Sequence, residues 1–146
     1  MQAITFDRTG EPHEVLQLRT RPKPTPAAGQ VLVRVTQAGI NPGDFLFVRG
    51  QYPEPKIPKF PGQIAGNHGA GIIEAVGPDV TLAVGSPVAF SYFEAWSEYA
   101  VVPELWLIPL PPGLAPDLAA QVFNLVTAWD LVELARARPG DWIAST

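Results

Sequence analysis

The sequence predicts a mainly β fold, and three observations support this prediction. Short alternating apolar segments recur over residues 1–115 and are separated by turns rich in Gly and Pro. The 146 residues include 17 Pro and 13 Gly, with 47% apolar and only 16% charged residues, which is typical of a folded, turn-rich chain. After Pro116 the apolar residues recur at helical spacing instead, so the organisation of the chain changes there.

Six segments are predicted as strands because each is short, apolar on alternate positions and bounded by turn residues. They cover residues 2–6, 15–18, 31–35, 71–76, 87–92 and 96–102. Strands at this spacing indicate a compact barrel or a sandwich.

A short helix is predicted within "INPGDFLFVRG", residues 40–50. Asn41 can cap this helix and Pro42 suits its first position. Asp44 stands three residues after the cap, where a carboxylate is favoured by the positive end of the helix. Gly50 is suited to ending the helix.

A second helix is predicted from Pro116 to about Ala137, because apolar residues recur three or four positions apart. These residues are Leu118, Val122, Leu125, Trp129 and Val132. A Pro-Gly-Asp turn then leads into residues 142–144, which are predicted as a new strand. We therefore expect one domain over residues 1–115, and a linking helix with the first strand of an α/β domain over residues 116–146.

Charge and composition exclude several classes of partner. The net charge is −4 and Lys and Arg do not cluster, so nucleic acid is not expected as a partner. The sequence has no signal-peptide pattern and no apolar run near the ~20 residues of a membrane span, so a membrane partner is not expected and the cytoplasm is the expected location. Without Cys, disulfides, thiolate metal ligands and a cysteine nucleophile are excluded.

The segment "GNHGAG", residues 66–71, has the glycine density of a phosphate-binding loop. The dinucleotide fingerprint G-x-G-x-x-G must follow a strand and open a helix. Here the β-type segment "GIIEAV" follows, so these glycines are expected to allow close backbone packing.

Five collinear segments carry a resemblance that covers nearly the whole chain. They are "AGINPGDFLFVRGQYP", "FPGQIAGNHGAGIIEAVGPDV", "VGSPVAF", "WSEYAVVP" and "NLVTAWDLVELARARPGDWI". In order and spacing they resemble the GroES-like catalytic domain of the medium-chain dehydrogenase/reductase superfamily, in its zinc-free quinone oxidoreductase and enoyl-thioester reductase branches. The resemblance implies a GroES-like β-barrel with short helices, followed by the helix and first strand of a truncated Rossmann domain.

The same resemblance implies the catalytic-domain fragment of a zinc-independent, NADPH-dependent reductase of enones, quinones or enoyl thioesters. NADPH would be bound by the full-length enzyme, and this chain alone is expected to be inactive because the glycine-rich turn after the first Rossmann strand is not in the sequence. Apolar residues after Pro116 would lack their Rossmann partner, so a homodimer is expected. The alternative is a non-catalytic binding or scaffolding domain that retains the barrel.

Three site residues follow from the resemblance. Tyr52 matches the catalytic tyrosine of the enoyl-thioester reductases, whose hydroxyl donates to the enolate or relays the proton. A loop tyrosine that covers apolar surface is the alternative. Asn41 and Thr127 match positions beside the nicotinamide, and Asn41 is also expected as the helix cap.

No metal site is expected. Zinc-dependent relatives carry a Cys near position 41 and a Gly-His-Glu near position 66, because catalytic zinc needs thiolate and imidazole donors. Asn41, Asn67 and His68 stand there in this sequence and make a poor zinc site. His68 is either a titratable group near the cleft or a partly exposed loop residue. Trp106 and Trp129 are expected to fill core and interdomain contacts, and the alternative is that either of them lines the substrate pocket.

Overall fold

Two antiparallel sheets form a curled, half-open barrel in the computed structural model of the chain, which describes residues 1–53 and 56–142. The smaller sheet contains β1 (Gln2–Phe6), β2 (Gln17–Thr20) and β4 (Gln63–Ile64). The larger sheet contains β3 (Gln30–Ala38), β5 (His68–Val76), β6 (Pro87–Ser91), β7 (Tyr99–Pro103) and β8 (Leu107–Pro109). The strand orders are β2-β1-β4 and β7-β3-β5-β6-β8. The mainly β prediction is confirmed.

The helical segments are few and mostly short. They are α1 (Pro12–Val15), α2 (Pro42–Val48), a 3₁₀ turn (Glu104–Trp106), α3 (Pro116–Ala119) and α4 (Val122–Ala135). No helix in the described part of the chain is long and apolar enough to cross a membrane.

Close pairing of β3 with β5 depends on glycine. The register of this pair shifts twice, and such bulges bend and twist a strand so that a sheet can curl. A Cβ on Gly71 would lie 2.1 Å from the carbonyl oxygen of Arg34 on β3. A Cβ on Gly66 would lie 2.3 Å from Cδ1 of Trp96, and Gly66 has a φ of +86°. The packing role predicted for the glycines of residues 66–71 is therefore confirmed.

Helix α2 is held at its N-terminus by a cap and at its C-terminal end by packing in the core. Asn41 is its N-cap and Pro42 opens the helix, as predicted, and Asp44 completes a capping box with Asn41. Phe47 and Val48 are buried against β1, where the rings of Phe6 and Phe47 meet edge to face at 5.9 Å. The core therefore fixes the C-terminal end of α2, while the capping box with Asn41 fixes its N-terminus.

The strand predicted over residues 15–18 is displaced by two residues from the observed strand β2, because residues 12–15 form a helix. Pro12 at the first helical position and Glu14 in the first turn favour helix α1, which ends at the buried Val15. Strand β2 starts only at Gln17, and Leu18 on it is exposed. The two- and three-residue strands β4 and β8 were too short for their sequence pattern to predict them.

The prediction of one continuous helix from Pro116 to Ala137 is also wrong, because the chain breaks between α3 and α4 at Ala120 and Gln121. Ala119 and Ala120 are buried against the sheet, since small side chains let the chain approach it closely. Most of the predicted apolar stripe is exposed on this chain, namely Leu118, Leu125, Trp129 and Val132. In the predicted strand over residues 142–144, Trp142 is fully exposed and outside any strand, and residues 143–144 lie outside the described residues.

Candidate functional site

A buried carboxylate organises the polar groups at the N-terminus of α2. Asp44 is 1% exposed and accepts three hydrogen bonds. Its Oδ2 accepts from the backbone N–H of Asn41 at 2.7 Å. Its Oδ1 accepts from the backbone N–H and from Nδ2 of Asn67 at 2.9 and 2.8 Å. Asp44 therefore ties α2 to the residue that precedes β5, so the two elements hold the site rigidly.

The Asn41 side chain joins the barrel to helix α4. Its Nδ2 donates to Nδ1 of His68 at 3.0 Å, and its Oδ1 accepts from Nδ2 of Asn124 at 2.9 Å. Because Nδ1 of His68 is the acceptor, a neutral imidazole carries its proton on Nε2. Three uncharged side chains thus link β5, α2 and α4.

His68 is held in a half-buried position at the start of β5, so the interpretation of His68 as a loop residue is wrong. Its ring stacks on Phe123 of α4 with centroids 5.4 Å apart and an angle of 13° between the planes. Burial lowers the pKa of His68, the charge of Asp44 opposes this effect, and the charge of Lys56 adds to it. The imidazole is therefore neutral at neutral pH.

Tyr52 lies in the wall of a cavity of about 570 Å³. The half-buried Tyr52 ring packs on the first turn of α2, where a Cβ on Gly43 would lie 3.0 Å from Cε2 of Tyr52. The cavity has the size of a small-molecule site. Its walls include Pro53, Lys56, Tyr92, Phe93 and Trp106. We refer to this cavity as the aromatic pocket.

Aromatic rings form the flat walls of the aromatic pocket. The rings of Tyr92 and Phe93 meet edge to face at 5.0 Å, and the ring of Trp106 lies 6.1 Å from that of Tyr92 at 34°. Trp106 is 51% exposed, so it does not fill the core, and its place in the pocket wall agrees with the alternative given for it. It follows a strand end at the 3₁₀ turn, where its side chain reaches the pocket instead of the barrel interior. Flat apolar walls of this kind suit a planar ligand.

Lys56 was not predicted as a site residue. Its Nζ donates to the carbonyl oxygen of Tyr92 at 2.9 Å and lies 5.1 Å from the centroid of the Phe93 ring. Burial lowers the pKa of Lys56, and the charge of Asp44 opposes this effect. Lys56 and Lys59 share one Pro-rich segment, so the local sequence does not distinguish the lysine that faces the pocket from the exposed one.

Thr127 lies on the exposed surface of α4. Its Oγ1 donates to the carbonyl oxygen of Phe123 at 3.0 Å, within its own helix. Asn124 stands three positions earlier and therefore shares a face of α4 with Thr127. Asn41 is thus connected to this face through Asn124, while Tyr52 packs on Gly43 in the first turn of α2. Trp129, two positions after Thr127 on α4, is 66% exposed, so it does not fill the core.

The comparisons with known proteins identify the family. Residues 27–112 match the alcohol dehydrogenase GroES-like domain. The chain belongs to this family. It is 36% identical to a quinone oxidoreductase of Pseudomonas aeruginosa over 145 residues, which cover 96% of this chain and 43% of that protein. It is 33% identical to a mitochondrial enoyl-acyl-carrier-protein reductase of Mus musculus, over 97% of this chain and 38% of that protein.

The fold of this GroES-like domain is that of solved reductases. The quinone oxidoreductase of Thermus thermophilus, which was also solved in complex with NADPH, superposes with a TM-score of 0.75 and 31% identity. The match covers 97% of this chain and 43% of that structure. The resemblance to the medium-chain dehydrogenase/reductase superfamily is confirmed, and the chain spans less than half the length of these three relatives.

The side chains at the zinc positions of this family do not fit zinc. Asn41 and Asn67 offer carboxamides, and His68 uses Nδ1 to accept from Asn41. The nearby carboxylate of Asp44 is engaged by three N–H groups. Among residues 1–53 and 56–142, no three His, Cys, Asp or Glu side chains converge as a metal site would require.

A second groove, of about 470 Å³, lies between the two sheets. Ile4 and Leu18 from the small sheet and Val35, Gln37 and Ile40 from the β3 end of the large sheet line it. Tyr52, Asn41 and Thr127 do not line this groove. We refer to it as the intersheet groove.

Proposed function

We propose that this GroES-like domain is the substrate-binding domain of a zinc-independent, NADPH-dependent reductase of quinones, enones or enoyl thioesters. The aromatic pocket supports this proposal, because Tyr52 offers a phenol in a flat apolar cavity beside the capped end of α2. The similarity to known proteins supports it as well, since the relatives are quinone and enoyl reductases and one was solved with NADPH.

The proposed chemistry places one demand on the pocket. NADPH would supply a hydride to the carbon β to a carbonyl group. Negative charge then collects on the carbonyl oxygen, where a preorganised donor stabilises it. Tyr52 is proposed to donate its O–H to that oxygen and to relay the proton for the α-carbon. The rings of Phe93 and Trp106 would hold the planar substrate against this phenol.

Asn41 and Thr127 are proposed to bind the nicotinamide end of NADPH. Both side chains are uncharged and offer a donor and an acceptor, which suits an amide or a ribose hydroxyl. The bond between Asn124 and Oδ1 of Asn41 is exposed, so an amide of the cofactor can replace Asn124 as the donor. Oγ1 of Thr127 keeps its free lone pairs on the exposed face of α4.

The whole protein is proposed to combine two domains. Residues 1–115 would form the substrate domain, and residues 116–146 would form the linking helix and first strand of a nucleotide-binding domain. Exposed apolar residues on α4 support a homodimer for this chain on its own. A cytoplasmic location and the absence of bound zinc are parts of the same proposal.

The test joins this chain to the nucleotide-binding part of the Pseudomonas aeruginosa quinone oxidoreductase. The fusion is expected to oxidise NADPH with a quinone, an enone or an enoyl thioester, whereas the isolated chain is not, because "GNHGAG" leads into β5 and not into a helix that binds pyrophosphate. Saturable NADPH oxidation by the isolated chain would refute the proposal that a separate nucleotide-binding domain is required for activity. A folded fusion that binds NADPH but reduces none of the three classes would favour the scaffolding alternative.

A further inference from the structure

Lys56 brings a positive charge to the aromatic pocket, and the proposed reduction does not use it. The side chain is half-buried, and its Nζ donates one hydrogen bond, to the carbonyl oxygen of Tyr92. An ammonium group has three N–H donors. Within residues 1–53 and 56–142, two donors of Nζ therefore remain for a ligand.

Ion pairing within the described chain does not account for the position of Lys56. Other cations have carboxylate partners, such as Arg19 with Asp7 and Arg49 with Glu11. Lys56 is in no ion pair with any residue that the structure describes. A surface lysine ordinarily extends its ammonium into water, whereas this one folds onto the pocket wall.

The surroundings of Nζ keep the charge available inside the pocket. The Phe93 ring lies 5.1 Å from Nζ and the Tyr52 ring 6.0 Å, so both rings offer their faces to the cation. Burial lowers the pKa of Lys56 and the charge of Asp44 opposes this effect, but N–H groups of Asn41 and Asn67 engage both oxygens of that carboxylate. The aromatic pocket is therefore flat, apolar and positively charged.

We propose that Lys56 is a specificity-determining residue that binds a negatively charged oxygen group on the planar substrate of the aromatic pocket. The inference rests on the proposed function and narrows it to unsaturated carbonyl compounds that carry a carboxylate or sulfonate group. The flat rings would hold the carbon skeleton, and the two remaining N–H donors of Lys56 would bind the anionic oxygens. Tyr52 would remain available for the carbonyl oxygen that accepts charge in the reaction.

A pair of unreactive planar probes tests this inference on the full 146-residue chain. Naphthoate and its carboxamide differ in charge but hardly in shape, and the affinity of each is measured by NMR titration. Naphthoate is expected to bind about tenfold more tightly, a difference of about 1.4 kcal/mol. Lys56→Met should remove this preference and leave the carboxamide affinity within about twofold, while Lys56→Arg should keep part of it.

Lys59→Met is the matched control, because Lys59 is exposed on the same segment, and the preference for naphthoate should survive it. The inference is overturned if naphthoate binds no more tightly than the carboxamide, if neither probe binds, or if Lys56→Met keeps the preference. This titration measures binding and not hydride transfer. A fusion that reduces no substrate would therefore refute the proposed function. A preference for naphthoate that depends on Lys56 would still support the binding role of Lys56.

Discussion

At the scale of single residues, the proposed chemistry depends on the phenol of Tyr52. Tyr52→Phe removes one O–H and keeps the ring that packs on Gly43, so the pocket retains its shape. In the fusion enzyme we expect kcat/KM for an enone to fall about 10²-fold, as for loss of one preorganised donor or acid. Tyr99→Phe on β7, outside the aromatic pocket, is the control and should have no effect. An unchanged kcat/KM for Tyr52→Phe would leave Tyr52 as a wall residue only.

A second residue-scale prediction concerns pH. Burial lowers the pKa of His68 from 6.5, with Asp44 opposing and Lys56 adding to the shift. The unfolded chain therefore binds this proton at a higher pH than the folded chain does. The stability that neutral His68 contributes is complete above pH 6.5 and is lost as the pH falls below 6.5, until the folded pKa is passed.

Urea unfolding between about pH 7.5 and pH 5 measures this effect. His68→Asn is expected to make the free energy of unfolding fall less steeply with decreasing pH than it does in the wild type. His13→Asn removes the other histidine, which is exposed, and serves as the control. An identical slope for His68→Asn and the wild type would contradict the assigned burial of the neutral ring.

The sequence allowed some of these residues to be predicted and not others. Asn41 was predictable as a cap because Pro42 and Asp44 follow at the required spacing, and capping is a local property. The partners of its carboxamide were not predictable, since His68 and Asn124 come from distant parts of the chain. Lys56 was missed for the same reason.

At the scale of elements, helix α4 carries the prediction about assembly. None of its residues is buried, and Trp129 and Leu134 are 66% and 81% exposed. An apolar surface of this kind favours association. We expect sedimentation to show a dimer of the chain that Trp129→Lys converts to monomers, while Leu18→Lys on the exposed face of β2 leaves the dimer intact. A monomeric wild type, or a dimer that survives Trp129→Lys, would exclude α4 as the interface.

Errors in predicting elements came from tertiary packing. The periodic apolar residues after Pro116 suggested one amphipathic helix, but Ala119 and Ala120 dock on the sheet and the chain turns there before α4 begins. The predicted position of strand β2 was wrong because the sequence Pro12-His13-Glu14 favours one turn of helix, so the strand begins later. Strands β3 and β5 were predicted in part, over residues 31–35 and 71–76, because these parts carry apolar residues that are buried in the core.

At the scale of the whole molecule, the barrel provides a scaffold on which distant segments meet. The aromatic pocket takes residues from the loop after α2, from the end of β6 and from the 3₁₀ turn. The aromatic pocket could not be predicted from any one sequence motif, because it forms only when the fold brings these segments together. The family itself was predictable, because glycine and proline positions that shape the turns recur at fixed spacing in the five matching segments.

The proposal that the aromatic pocket binds the substrate is tested most directly by locating a bound ligand on this chain. Backbone amide shifts are recorded by NMR while a planar, saturated reduction product of an enone is titrated into the 146-residue protein. We expect the changes in amide shift to concentrate around Tyr52, Tyr92 and Trp106, and we expect Tyr52→Phe to weaken binding of the ligand. Shifts concentrated at Ile4, Gln37 and Ile40 would place the ligand in the intersheet groove and contradict the account.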